Sequence, residues 1–287
     1  MSKVWLVTGS SRGLGRHIVE AALAAGERVL ATARKPKDLD DLVERYGERV
    51  KTAALDVVDP AAARAAVQVA LDAFGRVDVL VNNAGFGHIA PLEQMPEDDF
   101  RAQIDTNFHG VVNVTRAVLP VMRAQKSGHI LNVSSVGGRL GMAGFSAYQS
   151  AKWAVGGFTE VMRHELAPIG IHMTALEPGG MATNWGNEAA SQIPALLPEY
   201  EPSIGALLKL LGEHVGKEHG DPQRVAQVAL KLAYHDNPPA HLLLGSDALY
   251  FAGQAETERN AAGERWQAVT LSTDFGTEGD IPAMPQA

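Results

Sequence analysis

Glycines at positions 9, 13 and 15 are spaced so that this chain could hold a phosphate group. They lie in the segment TGSSRGLG, residues 8–15, which directly follows a short apolar run near the start of the chain. Glycine permits a tight turn and a close approach of the backbone to a diphosphate. A helix that begins here would direct free N–H groups and its positive dipole end at the anion. Any turn between a strand and a helix favours glycine, but three in seven positions favour a nucleotide site.

The residues after the second apolar run indicate which nucleotide would bind. An NAD-binding unit usually carries an acid there to accept from the ribose 2′-hydroxyl, whereas an arginine suits a 2′-phosphate. This chain has Ala33 and Arg34 at that point, and Arg12 lies on the neighbouring glycine-rich turn. Two guanidinium groups could clamp a phosphate dianion, although Arg34 could also be a solvated residue at a strand end. The pattern favours NADP(H), with NAD(H) as the alternative.

A second group of reactive side chains lies in the middle of the chain. Tyr148 and Lys152 are four residues apart on a predicted helix, so both side chains share one face. Ser135 precedes this pair and follows the apolar run 130–133. Because a parallel sheet places ligands at the carboxyl ends of its strands, the serine would lie near such a site. A Tyr–Lys pair arises easily by chance, and Ser134-Ser135 alone is typical of a loop or helix cap, but together they indicate a catalytic set.

Seven short apolar runs alternate with helix-length segments over most of the chain. Most runs are unbroken, which is typical of strands buried on both faces of a parallel sheet. The predicted strands are Val4–Val7, Val29–Thr32, Lys51–Leu55, Asp78–Val81, His129–Val133, Ile171–Leu176 and His241–Leu244. The predicted helices cover residues 14–25, 61–74, about 97–124 and about 145–168. This repetition predicts one doubly wound, Rossmann-like α/β domain, with right-handed crossovers and helices on both faces of a sheet of about seven strands.

Two segments interrupt the alternation within a domain expected to cover residues 1–269. Residues 183–220 form a long connection between the sixth and seventh strands, which predicts a substrate loop or lid. A stripe at helical spacing in this insertion is either core or a cover over the substrate: Ile204, Leu207, Leu208 and Leu211. Residues 270–287 are polar with glycines and prolines, and form either a disordered tail or an arm that orders on a partner subunit.

Composition excludes several classes of function. The chain has 287 residues, of which 46% are hydrophobic, with a net charge of −8 and no cysteine. Without cysteine there is no disulfide, iron–sulfur cluster, thiolate zinc site or cysteine nucleophile. The acidic net charge is unfavourable for nonspecific nucleic-acid binding. The ten histidines show no metal-ligand spacing. No apolar stretch suits a membrane helix or a signal peptide. We expect a cytoplasmic protein with no metal and no nucleic-acid or membrane partner.

Taken in order, the motifs of this chain resemble those of the short-chain dehydrogenase/reductase family. The motifs, all at family spacing, are the TGxxxGxG turn, the NNAG segment 82–85, Asn107, Ser135, the YxxxK pair, Pro178-Gly179 and LGSDA at 244–248. The resemblance covers roughly residues 4–253, and the motifs are specific in combination although each is modest alone. It implies an NADP(H)-dependent oxidoreductase that interconverts a ketone or aldehyde and the corresponding alcohol by hydride transfer. It also implies a homodimer or homotetramer that pairs through the two long helices.

The resemblance assigns four catalytic residues: Asn107, Ser135, Tyr148 and Lys152. Tyr148 is implied to be the general acid in carbonyl reduction and the general base in alcohol oxidation, while Lys152 also holds the nicotinamide ribose. A free phenol has a pKa of about 10, and we expect Lys152 and the oxidised nicotinamide to lower it by favouring the phenolate. Ser135 would hydrogen-bond the substrate oxygen, and Asn107 would belong to a water-linked proton relay to Lys152.

The same resemblance implies a cofactor-binding set. Asp56 and Val57 are assigned to the adenine, and residues 83–85 to the adenosine ribose. The loop 178–183 would border the nicotinamide, where Thr183 would hydrogen-bond the carboxamide or the phosphates. The full set is Gly9, Ser11, Arg12, Gly13, Leu14, Gly15, Arg34, Asp56, Val57, Asn83, Ala84, Gly85, Tyr148, Lys152, Pro178, Gly179, Met181 and Thr183.

The substrate side is defined mainly by apolar residues. The candidates for its lining are Ser135, Phe86, Phe145, Tyr148 and Trp185, with further apolar residues of the insertion. No lysine or arginine occurs between 186 and 208, which argues against a substrate that carries a carboxylate or a phosphate. A bulky, mostly apolar carbonyl compound or alcohol is expected. Two alternatives stay open: a nucleotide-sensing protein without catalysis, and an epimerase or dehydratase on the same fold.

Overall fold

Seven parallel strands form the central sheet of the protein. The computed structural model describes residues 2–214, 217–277 and 279–286. The strands are β1 (Val4–Val7), β2 (Arg28–Ala33), β3 (Val50–Ala54), β4 (Val79–Asn82), β5 (Gly128–Val133), β6 (Ile171–Pro178) and β7 (His241–Leu244). Their order is β3-β2-β1-β4-β5-β6-β7, so the chain reverses its direction of growth between β1 and β4. The predicted strands and the doubly wound fold are confirmed, and ligands bind at such a switch point in open α/β sheets.

Helices cover both faces of this sheet. In chain order they are α1 (Gly13–Ala24), α2 (Asp40–Tyr46), α3 (Pro60–Phe74), α4 (Glu97–Ile104), α5 (Gly110–Gln125), α6 (Ser146–Leu166), α7 (Trp185–Ala190), α8 (Ala206–His214), α9 (Pro222–Leu232) and α10 (Ser246–Leu271). Trp5 of β1 packs into a core with α1 and α9, while Leu6 packs into a second core with α3 and α5. Successive residues of a strand point to opposite faces, and both of these faces are buried. This double burial explains why the apolar runs in the sequence are unbroken.

The long helix predicted over residues 97–124 is wrong as a single helix. It is divided into α4 and α5 by a π-helical turn at Asp105–His109. The buried side chain of Asn107 explains the break, since its Nδ2 donates to the carbonyl oxygen of Gln103 at 2.8 Å. The side chain thereby competes for the carbonyl that an α-helical N–H at position 107 would use. The break places Asn107 against the loop that follows β4.

One face of α6 is exposed. Trp153 and Val161, about two turns apart on this helix, have exposed fractions of 44% and 59%. Large apolar side chains on the surface often mark an interface with another protein. Because α6 is one of the helices expected to pair with a second copy of the chain, this face suits that pairing. Association into a homodimer or homotetramer stays a prediction.

The helix α10 was not among the predicted elements. It has 26 residues, of which only Ala248 and Ala252 are buried, so no apolar stripe marks it in the sequence. Its last turn also includes the start of the predicted tail at 270. Near the middle of α10, Arg259 donates to the carbonyl oxygen of Arg139 at 2.7 Å. Within the described ranges, no helix combines the length and hydropathy needed to cross a bilayer.

The insertion between β6 and β7 packs over the carboxyl edge of the sheet. It contains α7, a π-helical turn at Glu201–Gly205 and α8, while residues 215 and 216 of the predicted range lie outside the described chain. Ile204 is buried and Leu207, Leu208 and Leu211 are partly buried, in a cluster that also includes Tyr148. The stripe therefore packs beside the expected catalytic tyrosine, and its role as a cover over the substrate stays a prediction.

Candidate active site

The glycine-rich turn between β1 and α1 is held from the end of β4. The hydroxyl oxygen of Thr8 accepts from the backbone N–H groups of Asn83 and Ala84 at 2.9 and 3.0 Å. In return, Nδ2 of Asn83 donates to the carbonyl oxygens of Thr8 and Gly9 at 2.9 and 3.1 Å. The side chain of Asn83, which was assigned to the adenosine ribose, therefore fixes the turn. The role of Thr8 was missed, although it is the first residue of the glycine motif.

The turn has the shape and the donors that a diphosphate needs. Gly9 and Gly13 have φ angles of +65° and +56°, which favour glycine. A Cβ on Gly15 would lie 2.3 Å from Nδ2 of Asn83, whereas a Cβ on Gly13 would meet no heavy atom within 4 Å. No side chain caps the start of α1, and the first N–H groups of a helix have no acceptor within it. Open space beside free N–H groups fits the diphosphate of a dinucleotide.

The remaining side chains of this turn differ in how far they are exposed. Leu14 is buried in the core beneath the turn, whereas Ser11 is half-buried and remains available at the surface of the turn. Arg12 is exposed at the N-cap position of α1. Only Ser11 and Arg12 could thus offer side-chain atoms to a phosphate from this segment.

The two arginines expected to clamp a 2′-phosphate differ in their surroundings. Arg34 lies exposed just beyond β2, and in the described part of the chain no residue forms a hydrogen bond or ion pair with it. Arg12 is also exposed, but its Nη2 lies 2.8 Å from a carboxylate oxygen of Glu188 on α7. The structure thus leaves Arg34 open to a ligand and connects Arg12 to the insertion.

The residues expected at the adenine lie after β3. Asp56 is exposed, and one of its carboxylate oxygens accepts from the backbone N–H of Val58 at 3.2 Å. Val57 is buried against the start of α5, where a Cβ on Gly110 would come within 2.5 Å of its side chain. Val57 therefore provides an apolar wall, and Asp56 provides a polar group at the surface.

The structure brings Ser135, Tyr148 and Lys152 together at the carboxyl end of β5. The oxygen of Ser135 accepts from the backbone N–H of Gly137 at 3.0 Å, and this serine also hydrogen-bonds Tyr148. The Nζ atom of Lys152 donates to the carbonyl oxygen of Val133 at 2.7 Å and lies 5.6 Å from the centroid of the Tyr148 ring. A phenol, a hydroxyl and an amine thus share one site, in which Lys152 is buried and Ser135 and Tyr148 are half-buried.

Burial shifts the pKa of both members of this pair. Burial raises the pKa of Tyr148 to about 12, and the hydrogen bond with Ser135 opposes this only in part. Burial also lowers the pKa of Lys152 to about 8. Removal from water disfavours the charged form of both groups. The phenol is therefore protonated at neutral pH. The expectation that Lys152 and the oxidised nicotinamide together lower the pKa of the phenol stays a prediction.

Asn107 lies next to this pair but uses its side chain for the fold. Its Oδ1 accepts from the backbone N–H of Phe86 at 3.1 Å, and its Nδ2 donates to the carbonyl oxygen of Phe86 at 2.7 Å. A Cβ on Gly85 would lie 2.5 Å from that Oδ1 and 3.7 Å from Nζ of Lys152. Asn107 thus positions the loop after β4 against the lysine, and its place in a proton relay stays a proposal.

Aromatic side chains from the insertion and from the start of α6 surround the phenol. The ring centroid of Trp185 lies 4.9 Å from that of Tyr148, and the ring of Phe145 lies 6.3 Å from it. A Cβ on Gly87 would come within 2.8 Å of both Trp185 and Tyr148, so this glycine leaves room for the two rings. Gly87 was missed in the sequence. Phe86, the remaining candidate for the substrate lining, is half-buried in the same loop.

The loop after β6 is held by the start of α10. Pro178 is buried, and the backbone N–H of Gly180 donates to Oδ2 of Asp247 at 2.7 Å. A Cβ on Gly179 would lie 2.3 Å from the oxygens of the same carboxylate. Asp247 was noticed only as part of the LGSDA motif, and its contact with this loop was missed. Oδ1 of Asp247 is buried and has no partner in the described chain, which leaves an acceptor beside the expected nicotinamide position.

Met181 and Thr183 lie farther along the same loop. Met181 forms an isolated parallel bridge with Gly220, across the two ends of the insertion. The hydroxyl oxygen of Thr183 accepts from the backbone N–H of Trp185 at 3.4 Å, at the start of α7. Both residues therefore connect the expected nicotinamide side to the insertion.

Comparison with known proteins identifies the family. A family model described as short chain dehydrogenase matches residues 3–194. The chain belongs to the short-chain dehydrogenase/reductase family. This dehydrogenase is 47% identical to Oxidoreductase BOA17 of Botryotinia fuckeliana over 274 residues, which cover 95% of this chain and 100% of that protein.

Solved structures agree with this assignment. The dehydrogenase matches a short-chain dehydrogenase from Streptomyces avermitilis with a TM-score of 0.89 and 39% identity, over 96% of this chain and 100% of that one. It also matches an alcohol dehydrogenase from the archaeon Thermococcus sibiricus complexed with 5-hydroxy-NADP, with a TM-score of 0.70 and 26% identity, over 86% and 97% of the two chains. The dehydrogenase is thus an NAD(P)-dependent oxidoreductase with a Rossmann-like fold.

Proposed function

We propose that the dehydrogenase reduces a mostly apolar ketone or aldehyde, with NADPH as the cofactor and Tyr148 as the proton donor. The observation that carries this proposal is the half-buried phenol of Tyr148, which lies beside Ser135 and the buried Lys152 at the carboxyl end of β5. The chemistry that a nicotinamide cofactor supplies when bound is hydride donation to the carbonyl carbon. The residues described above would then bind and orient the carbonyl oxygen and move its proton.

The state of Tyr148 suits the reducing direction. A phenol with a pKa of about 12 carries its proton at neutral pH, which is the form a general acid needs. As negative charge develops on the carbonyl oxygen, the hydroxyl of Ser135 would stabilise it, and the phenol would donate its proton to it. Lys152, the nearest ammonium, would stabilise the phenolate that remains.

The preference for NADPH rests on the end of β2. Ala33 is buried and no acid lies beside it, while Arg34 is exposed and open to a ligand. A guanidinium group binds a phosphate dianion through charge-assisted hydrogen bonds. The complex of the similar archaeal alcohol dehydrogenase with 5-hydroxy-NADP supports the same choice of cofactor.

The substrate class rests on the aromatic and aliphatic cluster at the phenol. Phe145 and Trp185 pack beside Tyr148, and the apolar stripe of the insertion belongs to the same cluster. No cationic side chain occurs between 186 and 208 to bind a carboxylate or phosphate. A bulky, uncharged carbonyl compound matches these walls, because pockets lined by apolar groups bind ligands mainly by burying apolar surface.

Replacement of the phenol tests the proposed reaction. We expect Tyr148→Phe to lower turnover by at least about a hundredfold, since general acid catalysis is lost. The measurement is the decrease of NADPH absorbance with a panel of ketones and aldehydes, together with NADPH binding by fluorescence, which should stay intact. Tyr46→Phe, at the end of α2, is the matched control and should keep wild-type turnover. NADPH binding without turnover by the wild type would instead favour the nucleotide-sensing protein.

Replacement of Arg34 tests the cofactor preference. We expect Arg34→Asp to raise the KM for NADPH by about tenfold or more, because a charge-assisted hydrogen bond to the 2′-phosphate is replaced by repulsion. The KM for NADH should stay the same or fall, since an acid can accept from the ribose 2′-hydroxyl. Arg64→Asp on the exposed side of α3 is the matched control. An unchanged ratio of the two KM values would contradict the role of Arg34.

A further inference from the structure

A buried carboxylate at the end of β6 lies outside the catalytic and cofactor sets. Glu177 is only 1% exposed. Its two oxygens accept from Nε of Arg139 at 3.1 and 3.0 Å, and one of them also accepts from Nδ1 of His241 at 2.7 Å. A buried charge is unfavourable unless it is paired and hydrogen-bonded, and here two cationic groups from different elements compensate it.

His241 extends this ion pair to a second carboxylate. Its Nε2 lies 2.9 Å from a carboxylate oxygen of Glu160 on α6, while Nδ1 faces Glu177. Both ring nitrogens must donate to satisfy two carboxylates, which requires the imidazolium form. The hydrogen bond to Glu177 raises the pKa of His241, and the nearby Arg139 opposes this only in part. Two carboxylates and two basic side chains thus face one another at this site.

The ion pair joins the two loops between which the reaction would occur. Arg139 follows the short turn Val136–Gly138, which begins at Ser135. Glu177 is the residue directly before Pro178 and the loop expected to border the nicotinamide. Residues 135–140 (the serine loop) and residues 178–183 (the nicotinamide loop) are thus connected by one ion pair, whose carboxylate is buried and whose arginine side chain is 36% exposed.

We propose that Glu177 and Arg139 are positioning residues, whose ion pair fixes the distance between the serine loop and the nicotinamide loop. This inference rests on the proposed function. Neither residue belongs to the expected catalytic or cofactor-binding set. The ion pair would align the carbonyl group held by Ser135 with the nicotinamide carbon that donates hydride, and a misalignment of about 1 Å between reacting groups can lower a rate by about a hundredfold.

The helix α10 supports the serine loop from its outer side. Arg259 donates to the carbonyl oxygen of Arg139 at 2.7 Å, and its guanidinium group lies 5.3 Å from the ring centroid of Trp153. Nε1 of Trp153 in turn donates to the carbonyl oxygen of Leu140 at 3.4 Å. The backbone of the loop is therefore held by α10 and α6, while the side chain of Arg139 holds it to β6.

A matched ion pair lies at the opposite edge of the sheet, at the amino ends of its strands. Asp78, which is 8% exposed, accepts from Nε and Nη2 of Arg76 at 2.6 to 3.0 Å and from the backbone N–H of Val4 at 2.8 Å. It therefore has the same chemistry as Glu177 but joins no part of the proposed site. Asp78→Asn serves as the control for a purely structural role.

The test compares Glu177→Gln with Asp78→Asn in the full-length protein, with NADPH and a ketone that the wild type reduces. We expect Glu177→Gln to lower kcat between about tenfold and a hundredfold, while the dissociation constant of NADPH changes less than twofold. NADPH deuterated at C4 should give a larger isotope effect on kcat than in the wild type, because hydride transfer becomes slower. Asp78→Asn should lower the thermal midpoint but keep kcat and the isotope effect within twofold.

Arg139 variants keep the proposal testable if Glu177→Gln does not fold. Arg139→Gln leaves Glu177 bound to His241 and should lower kcat to a similar extent. Arg139→Lys keeps the charge, and its kcat should be at least threefold higher than that of Arg139→Gln. A folded Glu177→Gln or Arg139→Gln with kcat and isotope effect within twofold of the wild type would overturn the positioning role alone. Absence of turnover in the wild type and in Asp78→Asn would overturn the proposed function, and this inference with it.

Discussion

The two edges of the sheet, at the amino ends and at the carboxyl ends of its strands, use similar interactions for different purposes. At the amino edge, Asp78 joins β4 to β1 through the N–H of Val4 and pairs with an arginine two residues away. At the carboxyl edge, Glu177 joins β6 to a loop and to β7, with Arg139 38 residues away in the sequence. The first arrangement holds strands that are already adjacent. The second sets the position of a loop that β5 alone would not fix, and it therefore matters for the reaction as well as for the fold.

Glycines show the same contrast between the edges. Gly170, before β6, has a φ of +76°, and a Cβ there would lie 2.5 Å from the carbonyl oxygen of Lys126. Gly179, after β6, would place a Cβ 2.3 Å from the carboxylate of Asp247. In both positions a methyl group forces a neighbour to move. Only at the carboxyl edge is that neighbour part of the proposed nicotinamide loop.

The largest effect expected from the difference between the two edges separates these two glycines. We expect Gly179→Ala to lower turnover by at least about tenfold, because the loop must move away from Asp247. We expect Gly170→Ala to lower the free energy of unfolding by about 1–3 kcal/mol, because of steric overlap, while turnover per folded molecule stays unchanged. Thermal denaturation and NADPH-dependent turnover measure the two effects. Loss of turnover in both variants to the same extent would break the contrast between the edges.

The sequence predicted the strands and the grouping of Ser135, Tyr148 and Lys152 for a physical reason. A strand buried on both faces needs an unbroken apolar run, and such runs were visible from Val4 to Leu244. The reactive side chains were visible because Tyr148 and Lys152 are close in sequence and share one face of a helix. Local patterns of this kind can be read without a structure.

Several of the missed features depend on distant parts of the chain, although the break at Asn107 is local. Asp247 holds Gly180 across 67 residues, and no local pattern announces that contact. The direction of the pKa shift of Tyr148 also depends on burial by other elements, which spacing to Lys152 alone does not reveal. Asn107 ended the long predicted helix through a side-chain hydrogen bond that competes with the regular backbone pattern.

A smaller predicted effect concerns the stability of the protein in acid, which depends on His129 at the amino edge. Burial, with smaller contributions from the charges of His172 and Lys3, lowers the pKa of His129 to about 3. The unfolded chain, with a histidine pKa of about 6.5, therefore binds a proton first as the pH falls, so stability is lost progressively between about pH 6.5 and pH 3. We expect the thermal midpoint to fall over this range and to fall less steeply in His129→Gln.

The control for this titration is an exposed histidine. His164→Gln on the surface of α6 should leave the slope of the thermal midpoint against pH as in the wild type. An identical slope in His129→Gln would show that other groups, such as the paired carboxylates, determine the acid sensitivity. Turnover of His129→Gln at neutral pH should match the wild type, because the residue lies at the edge opposite the proposed site.

The smallest effect returns to the carboxyl edge, where an exposed ion pair connects Arg12 to Glu188. Exposed pairs contribute at most about 1 kcal/mol, so the pair holds the insertion only weakly to the glycine-rich turn. Glu188 nevertheless competes with a phosphate for Arg12. We expect Glu188→Gln to lower the KM for NADPH by no more than about fivefold and to leave the KM for NADH unchanged. Glu97→Gln removes the exposed partner of Arg101 on α4 and should change neither constant. A higher KM for NADPH in Glu188→Gln would mean that the pair orders the turn for its ligand, and that even a weak surface contact at this edge contributes to binding.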